Sequence, residues 1–243
     1  MKSFNLANRC AKEILRDPIN LIFGIGFPVI LLLLLSVIQS NVPIPLFEIE
    51  HLAPGVTVFG LAFISLFSAT LIAKDRESSL LQRLYTTPLK PIDFILGYIL
   101  PLIPMAISQG VVCYAVAIIL GLNISINILY SILMLAPISI FYISLGLLCG
   151  SMLNTKQVGG ICGALLTNVS AWLSGVWFEL ELMGKTFSNI ARLLPFYHAV
   201  ELERAVTKGN FATALPHLYF VFIYAAIALI AAILIFLRQM KKQ

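Results

Sequence analysis

The chain has 243 residues, of which 60% are hydrophobic and 11% charged, with a mean hydropathy of +0.97 and a formal net charge of +5. That balance excludes a soluble globular domain and places the chain in lipid. About six helices of ~20 residues, each crossing a hydrocarbon core of ~30 Å, use up the length, so a single membrane domain over residues 1–243 is expected.

In chain order, residues 1–17 come first as an amphipathic leader. Phe4, Ala7, Cys10, Ala11, Ile14 and Leu15 share one helical face, and Arg9, Lys12, Glu13 and Arg16 share another. Two roles fit this pattern: a helix lying on the inner membrane surface, its basic side toward headgroups or a partner, or a positive flank that only sets topology. Asp17-Pro18 then supplies a cap and a permitted first-turn proline for a spanning helix.

Uncharged apolar runs near 19–38, 52–73, 92–120, 126–151, 157–178 and 216–237 predict six spans. They are continuously apolar instead of alternating at a period of two, which predicts helices and not barrel strands. The first is too long for a cleavable signal and is followed by no small-residue cleavage site. The third carries Pro101 and Pro104, and a kink or irregular end is expected there.

Basic residues set the orientation. Lys2, Arg9, Lys12, Arg16, Lys74, Arg76, Arg83, Lys90, Lys156, Arg238, Lys241 and Lys242 fall on one side, twelve of the 16; only Lys185, Arg192, Arg204 and Lys208 fall on the other. The richer side is expected in the cytoplasm with both termini, in a cell membrane. Topology and anionic lipid then account for the net charge without nucleic acid, which would need a coherent basic face on a folded domain.

The chemistry-bearing motifs are mostly absent. Apart from Asp93 and His217 at their ends, the six runs hold no acid or base, so ion-coupled transport and intramembrane hydrolysis lack the groups they need. Gly184-Lys185-Thr186 mimics the end of a phosphate loop, but Glu179 stands where its first glycine is required. Gly24 and Gly26 lack the third glycine of a dinucleotide loop, and His51, His198 and His217 have no metal-ligand spacing. No catalytic residue, metal site or cofactor of the chain's own is expected. None of the cysteines Cys10, Cys113, Cys149 and Cys162 lies in an outer loop, so no disulfide framework is expected.

Small residues one turn apart, Gly146 with Gly150 and Gly159 with Gly163, predict close helix packing. Trp172, Trp177 and Phe178 read as an interfacial aromatic belt. Between the fifth and sixth spans, residues 179–215 are too apolar for a solvated loop. Two short helices dipping into the outer leaflet around Pro195 are expected, with Glu179, Glu181, Glu201, Glu203 and Arg204 toward water. Such a segment serves either as a lid over an exit path or as a structural cap.

The insert 74–91 is charged and amphipathic. Leu80, Leu81 and Leu84 form a hydrophobic anchor at helical spacing, Arg76, Glu77 and Arg83 add charge, and Pro88 and Pro91 stop the helix before the third span. It is either a docking element for a partner in water or a topogenic loop on the headgroups.

Two stretches carry a resemblance. Asp75-Arg76-Glu77 with Leu80-Leu81-Gln82-Arg83-Leu84-Tyr85-Thr86-Thr87-Pro88-Leu89 resembles the cytoplasmic coupling helix of the ABC type-2 transporter permease family, which includes daunorubicin-type multidrug efflux permeases. Leu173-Ser174-Gly175-Val176-Trp177-Phe178 followed by Leu193-Leu194-Pro195-Phe196-Tyr197-His198-Ala199-Val200-Glu201 resembles its fifth span and outer re-entrant hairpin. The chain departs from the family pattern at Ser78-Ser79, where Gly-Thr is frequent, and at Glu179, where proline is frequent.

The resemblance implies an all-α polytopic fold with six transmembrane helices, an interfacial N-terminal helix and a re-entrant segment. It further implies an exporter in which two permease chains pair, as homodimer or heterodimer, while a separate cytoplasmic ABC subunit binds ATP and magnesium and hydrolyses the ATP. Arg76, Glu77, Leu80, Leu81, Arg83, Leu84, Thr87 and Pro88 would then couple to that subunit, and Phe178, Glu179, Pro195, Phe196, Tyr197 and Glu201 would build the outer segment. The scarcity of charge in the spans favours a hydrophobic or amphiphilic cargo. A passive channel or a membrane scaffold shares the topology but has no use for the coupling insert.

Overall fold

The computed structural model describes residues 2–42, 47–78, 80 and 91–240. Among them every regular element is helical. In lipid the backbone must satisfy its own hydrogen bonds, and a continuous apolar run does so only as a helix.

The elements in order are α1 (Lys2–Leu15), α2 (residues 18–41), α3 (Ile49–Glu77), α4 (Pro91–Ile119), α5 (Ile126–Met152), α6 (residues 155–173), α7 (Lys185–Arg192), α8 (Pro195–Thr207) and α9 (Phe211–Met240). Among the described residues five stretches are long and apolar enough to cross a membrane: Ile22–Asn41, Ile49–Glu77, Ile92–Ile119, Ile126–Met152 and Phe211–Gln239. The remaining predicted span, 157–178, is a composite helix that ends earlier, at Leu173, and is divided by a π-helical stretch over Gly159–Leu166. The backbone stays right-handed through both junctions.

The helix irregularities lie away from where the prolines of the third run put them. α4 passes through Pro101 and Pro104 as one α-helix, whereas π turns occupy Ile22–Gly26 and Gly159–Leu166. After the first of these stands Pro28, whose missing N–H cannot bond the Gly24 carbonyl; the second is rich in glycine.

α3 is the central helix. In its most apolar window 89% of residues are buried, against 17% for α2, which lies at the periphery. α5 approaches α3 closely because a side chain at Gly146 or Gly150 would collide with the backbone carbonyl of Ser65 or Ala69, and Ser68 donates to the Ile143 carbonyl at 3.0 Å across the same seam. The second glycine pair differs: among the described residues Gly159 has open space around it and Gly163 meets only the Leu66 side chain, without the close backbone approach seen at the first pair.

Three of the largest fully buried side chains are tyrosines, and each hydroxyl ties two helices together. Tyr142 of α5 meets Ser170 of α6 at 2.8 Å, Tyr98 of α4 donates to Asp75 of α3 at 2.7 Å, and Tyr114 of α4 donates to Glu203 of α8 at 2.8 Å. The turn from α8 to α9 needs Gly209 at a φ of 74°, which lets the Asn210 N–H reach the Ala205 carbonyl at 2.8 Å and close the helix end.

α1 packs on α4 through Leu6, Ala7, Cys10 and Ile14. Gly97 permits the approach, since a Cβ there would strike Leu6. The apolar face of the leader is therefore rotated from the one read in the sequence: Leu6 joins it, while Phe4 and Leu15 are exposed. Burial pushes the Cys10 thiol up to about 12, an inert packing group.

Candidate functional site

At the C-terminal end of α3 four consecutive residues, Lys74 to Glu77, each reach a different part of the molecule. Lys74 pairs with Asp17, between α1 and α2, at 3.9 Å. Asp75 is buried and receives both guanidinium nitrogens of Arg9 from α1, at 2.6 and 2.5 Å, together with the Tyr98 hydroxyl from α4. This two-pronged pairing is the strong form of a charge-assisted hydrogen bond, and it holds Arg9 protonated well above its ordinary range.

Arg76 donates to the carbonyls of Ser151 and Leu153, the latter at 2.5 Å, and to Gln239 of α9 at 3.4 Å. The last carbonyls of α5 have no partner within their own helix, and a cation there also meets the negative end of the helix dipole. Glu77 accepts from the Thr155 N–H at 2.8 Å and the Thr155 hydroxyl at 2.9 Å, which places a carboxylate at the positive N-terminus of α6. Asn154 completes that cap by a reciprocal bond pair with Gln157. One charged quartet thus joins the middle of α1, the first turns of α4 and the ends of α5, α6 and α9 to the helix that leads into the insert.

Arg76 and Glu77, expected as coupling residues, sit in this junction with both side chains on intramolecular partners. Leu81, Arg83, Leu84, Thr87 and Pro88 lie outside the described residues, and Leu80 stands at their edge. Beside the junction the polar face of α1 borders an open cleft that includes Asn8, Lys12 and Arg16.

The opposite end of the bundle gathers the expected outer-segment residues. Phe178 packs on Trp172 with ring centroids 5.5 Å apart, and exposed Glu179 precedes the tight turn Leu180–Met183. Pro195 opens α8, where its missing N–H costs nothing. Phe196 inserts against Phe141 and Tyr142, and Tyr197 stacks edge-on to His217 under the Arg192 guanidinium. Glu201 pairs with Arg204 at 2.9 Å.

One expectation for this end is corrected. Glu203 and Arg204 do not face water: Glu203 is completely buried and Arg204 is 5% exposed. Arg204 donates to the Gly175 carbonyl at 3.0 Å and the His51 carbonyl at 3.3 Å, fastening the end of α6 and the start of α3 to α8. The helical spacing of Phe196, Ala199, Val200, Glu203 and Val206 already put Glu203 on the buried stripe, a signal that the loop-like charge of the segment masked. Asp75 was legible in the same way, three and seven residues after buried Ile72 and Ser68.

Among the described residues no cluster of three or more metal-ligating side chains occurs. The geometry links the end of one buried helix to five others.

Comparison with known proteins agrees with that character. The profile of the ABC-2 type transporter family matches residues 3–207. Nodulation protein J of Bradyrhizobium diazoefficiens is 26% identical over 229 residues, covering 93% of this chain and 85% of that protein. An all-helical membrane chain whose buried central helix ends in a charged junction, matched over most of its length by this profile, belongs to the ABC-2 type transporter family.

Proposed function

We infer that the chain is the transmembrane permease subunit of an ATP-driven exporter. A separate cytoplasmic ATPase subunit, carrying ATP and magnesium, docks on the insert 74–91. Two permease chains pair, and a hydrophobic or amphiphilic cargo moves outward by alternating access. In this reading the Lys74–Glu77 end, both termini and the insert face the cytoplasm, and the composite helix α6 is the fifth of six crossings. α7 and α8 form the re-entrant segment on the outer side.

The observation that carries the reading is the junction at Lys74 to Glu77. A push on the insert enters the bundle at α3, and four rigid ionic or hydrogen-bonded links pass it to helix ends that are otherwise separate. Arg83 and the leucines of the insert are then the docking groups, while Arg76 and Glu77 transmit. The open polar cleft along α1 is a place for lipid headgroups or for the partner subunit itself.

Co-purification of the chain with its ATPase subunit, together with cargo-stimulated ATP hydrolysis, separates these roles. Arg83→Glu is expected to lower co-purification. Glu77→Ala is expected to leave assembly in place and to weaken the stimulation of hydrolysis by cargo. Unchanged assembly and unchanged stimulation in both variants would overturn the coupling assignment.

A further inference from the structure

Glu203 is the exception to the way this molecule treats buried charge. It lies on α8 with no exposed surface, Oε1 accepts the Tyr114 hydroxyl of α4 at 2.8 Å, and buried Oε2 has no hydrogen-bond partner. Around it stand further hydroxyls: Thr207 of α8 lies 3.3 Å from the Tyr114 oxygen and 2.9 Å from Ser131 of α5.

No cation bonds to it among the described residues. Its neighbour Arg204 turns to Glu201 and to two carbonyls, and Lys208 is exposed at the helix end. On the other elements packed against α8, His217 of α9 meets His198, Glu50 of α3 accepts from Asn123, Arg192 of α7 pairs with Glu181, and the His51 side chain of α3 faces the charges of Arg204, Glu201 and Lys208. A carboxylate in this position would be a charge with one hydrogen bond and no counter-ion among the described residues, and burial strongly favours the neutral acid over it.

We propose that Glu203 is a proton-binding site, neutral while α8 is seated against α4 and α5 and ionised when α8 parts from them and water enters. Burial pushes the carboxyl up to about 8, in the same direction as the geometry. Between the ordinary carboxyl range, about 4.3, and that value the seated form holds one proton more than the parted form. Each pH unit of rise within this window shifts the balance about tenfold toward the parted form, and acid holds the segment closed. One proton leaves each time α8 opens. The site needs only the seat of α8 and does not depend on the exporter reading.

Infrared spectroscopy of the purified full chain in lipid nanodiscs tests it directly. The stretching band of a protonated carboxyl should persist at neutral pH, titrate near the raised value and be missing from Glu203→Gln. A carboxyl band that disappears with the ordinary acids, or identical spectra for the two proteins, overturns the proposal. A second readout is thermal stability: the wild type should lose stability relative to Glu203→Gln as pH rises through the window, and parallel curves overturn it. If Glu203→Gln fails to fold, the wild-type band alone decides. Stabilisation of the wild type by sodium over choline at alkaline pH, absent in Tyr114→Phe, would assign the site to a metal cation and overturn the proton assignment.

Discussion

At the Lys74–Glu77 end of the bundle each charge of the α3 terminus meets a counter-charge or a helix end on another element, and buried Asp75 is matched by a two-pronged guanidinium. At the end holding α8, Arg204 is spent on carbonyls and Glu201, and Glu203 is buried beside it with hydroxyls alone. The two ends contain the same residue types and differ in what faces them. Where every charge is paired across helices, removal of one partner leaves another charge or helix end uncompensated. A buried acid without a cation stores a preference for one protonation state and makes its end sensitive to water entry.

The sharpest way to break the contrast is Asp75→Ala. It leaves Arg9 without its acceptor and Tyr98 with an unpartnered buried hydroxyl, and about 2 kcal/mol of stability should be lost; the figure is moderated because Arg9 is partly exposed. Denaturant unfolding in micelles measures this, and the triple variant Arg9→Met, Asp75→Leu and Tyr98→Phe, which strands neither partner of Asp75, should recover most of the loss. A loss as large in the triple variant would show that the stranded charge and hydroxyl are not its cause.

Arg204→Met probes the other end. The Gly175 and His51 carbonyls each lose a donor, for an expected loss of about 1 to 2 kcal/mol in the same assay. An unchanged midpoint would mean that α6 and α3 are not fastened through this side chain.

The smallest effect concerns acid. His198 stacks on Phe220 at 4.1 Å and shares a hydrogen bond with His217. Burial moves His198 down to about 4 from an ordinary value of 6.5. Between those values the unfolded chain binds the extra proton, so stability should fall as pH drops from 6.5 toward 4. His198→Phe keeps the stack and should flatten this limb of the melting curve; an unaltered slope would place the acid sensitivity elsewhere.

Much of the molecule was readable before any coordinate. Apolar run length located five spans to within a few residues, the leader emerged as a helix, and Pro195 marked the start of a short helix. The fifth run, 157–178, ended at Leu173 because the chain turns at Ser174 and Gly175, where φ reaches 71°. The junction was half visible: its charges stood in a row at Lys74 to Glu77, but an acceptor on α3 and a donor on α1 sixty-six residues away share no local pattern. Glu203 was misplaced because charge in a connecting segment normally seeks water, and only its helical register argued otherwise.

Composition and periodicity by themselves determined that this is a helical membrane chain, because in lipid a continuously apolar run satisfies its backbone only as a helix. They also placed the short helices before α9. Which charge meets which helix end was decided only by the packed bundle, since pairing depends on where the ends of separate helices arrive in space. The same packing left Glu203 without a counter-ion among the described residues, a fact about its neighbours on α4 and α5 that its own sequence neighbourhood does not contain.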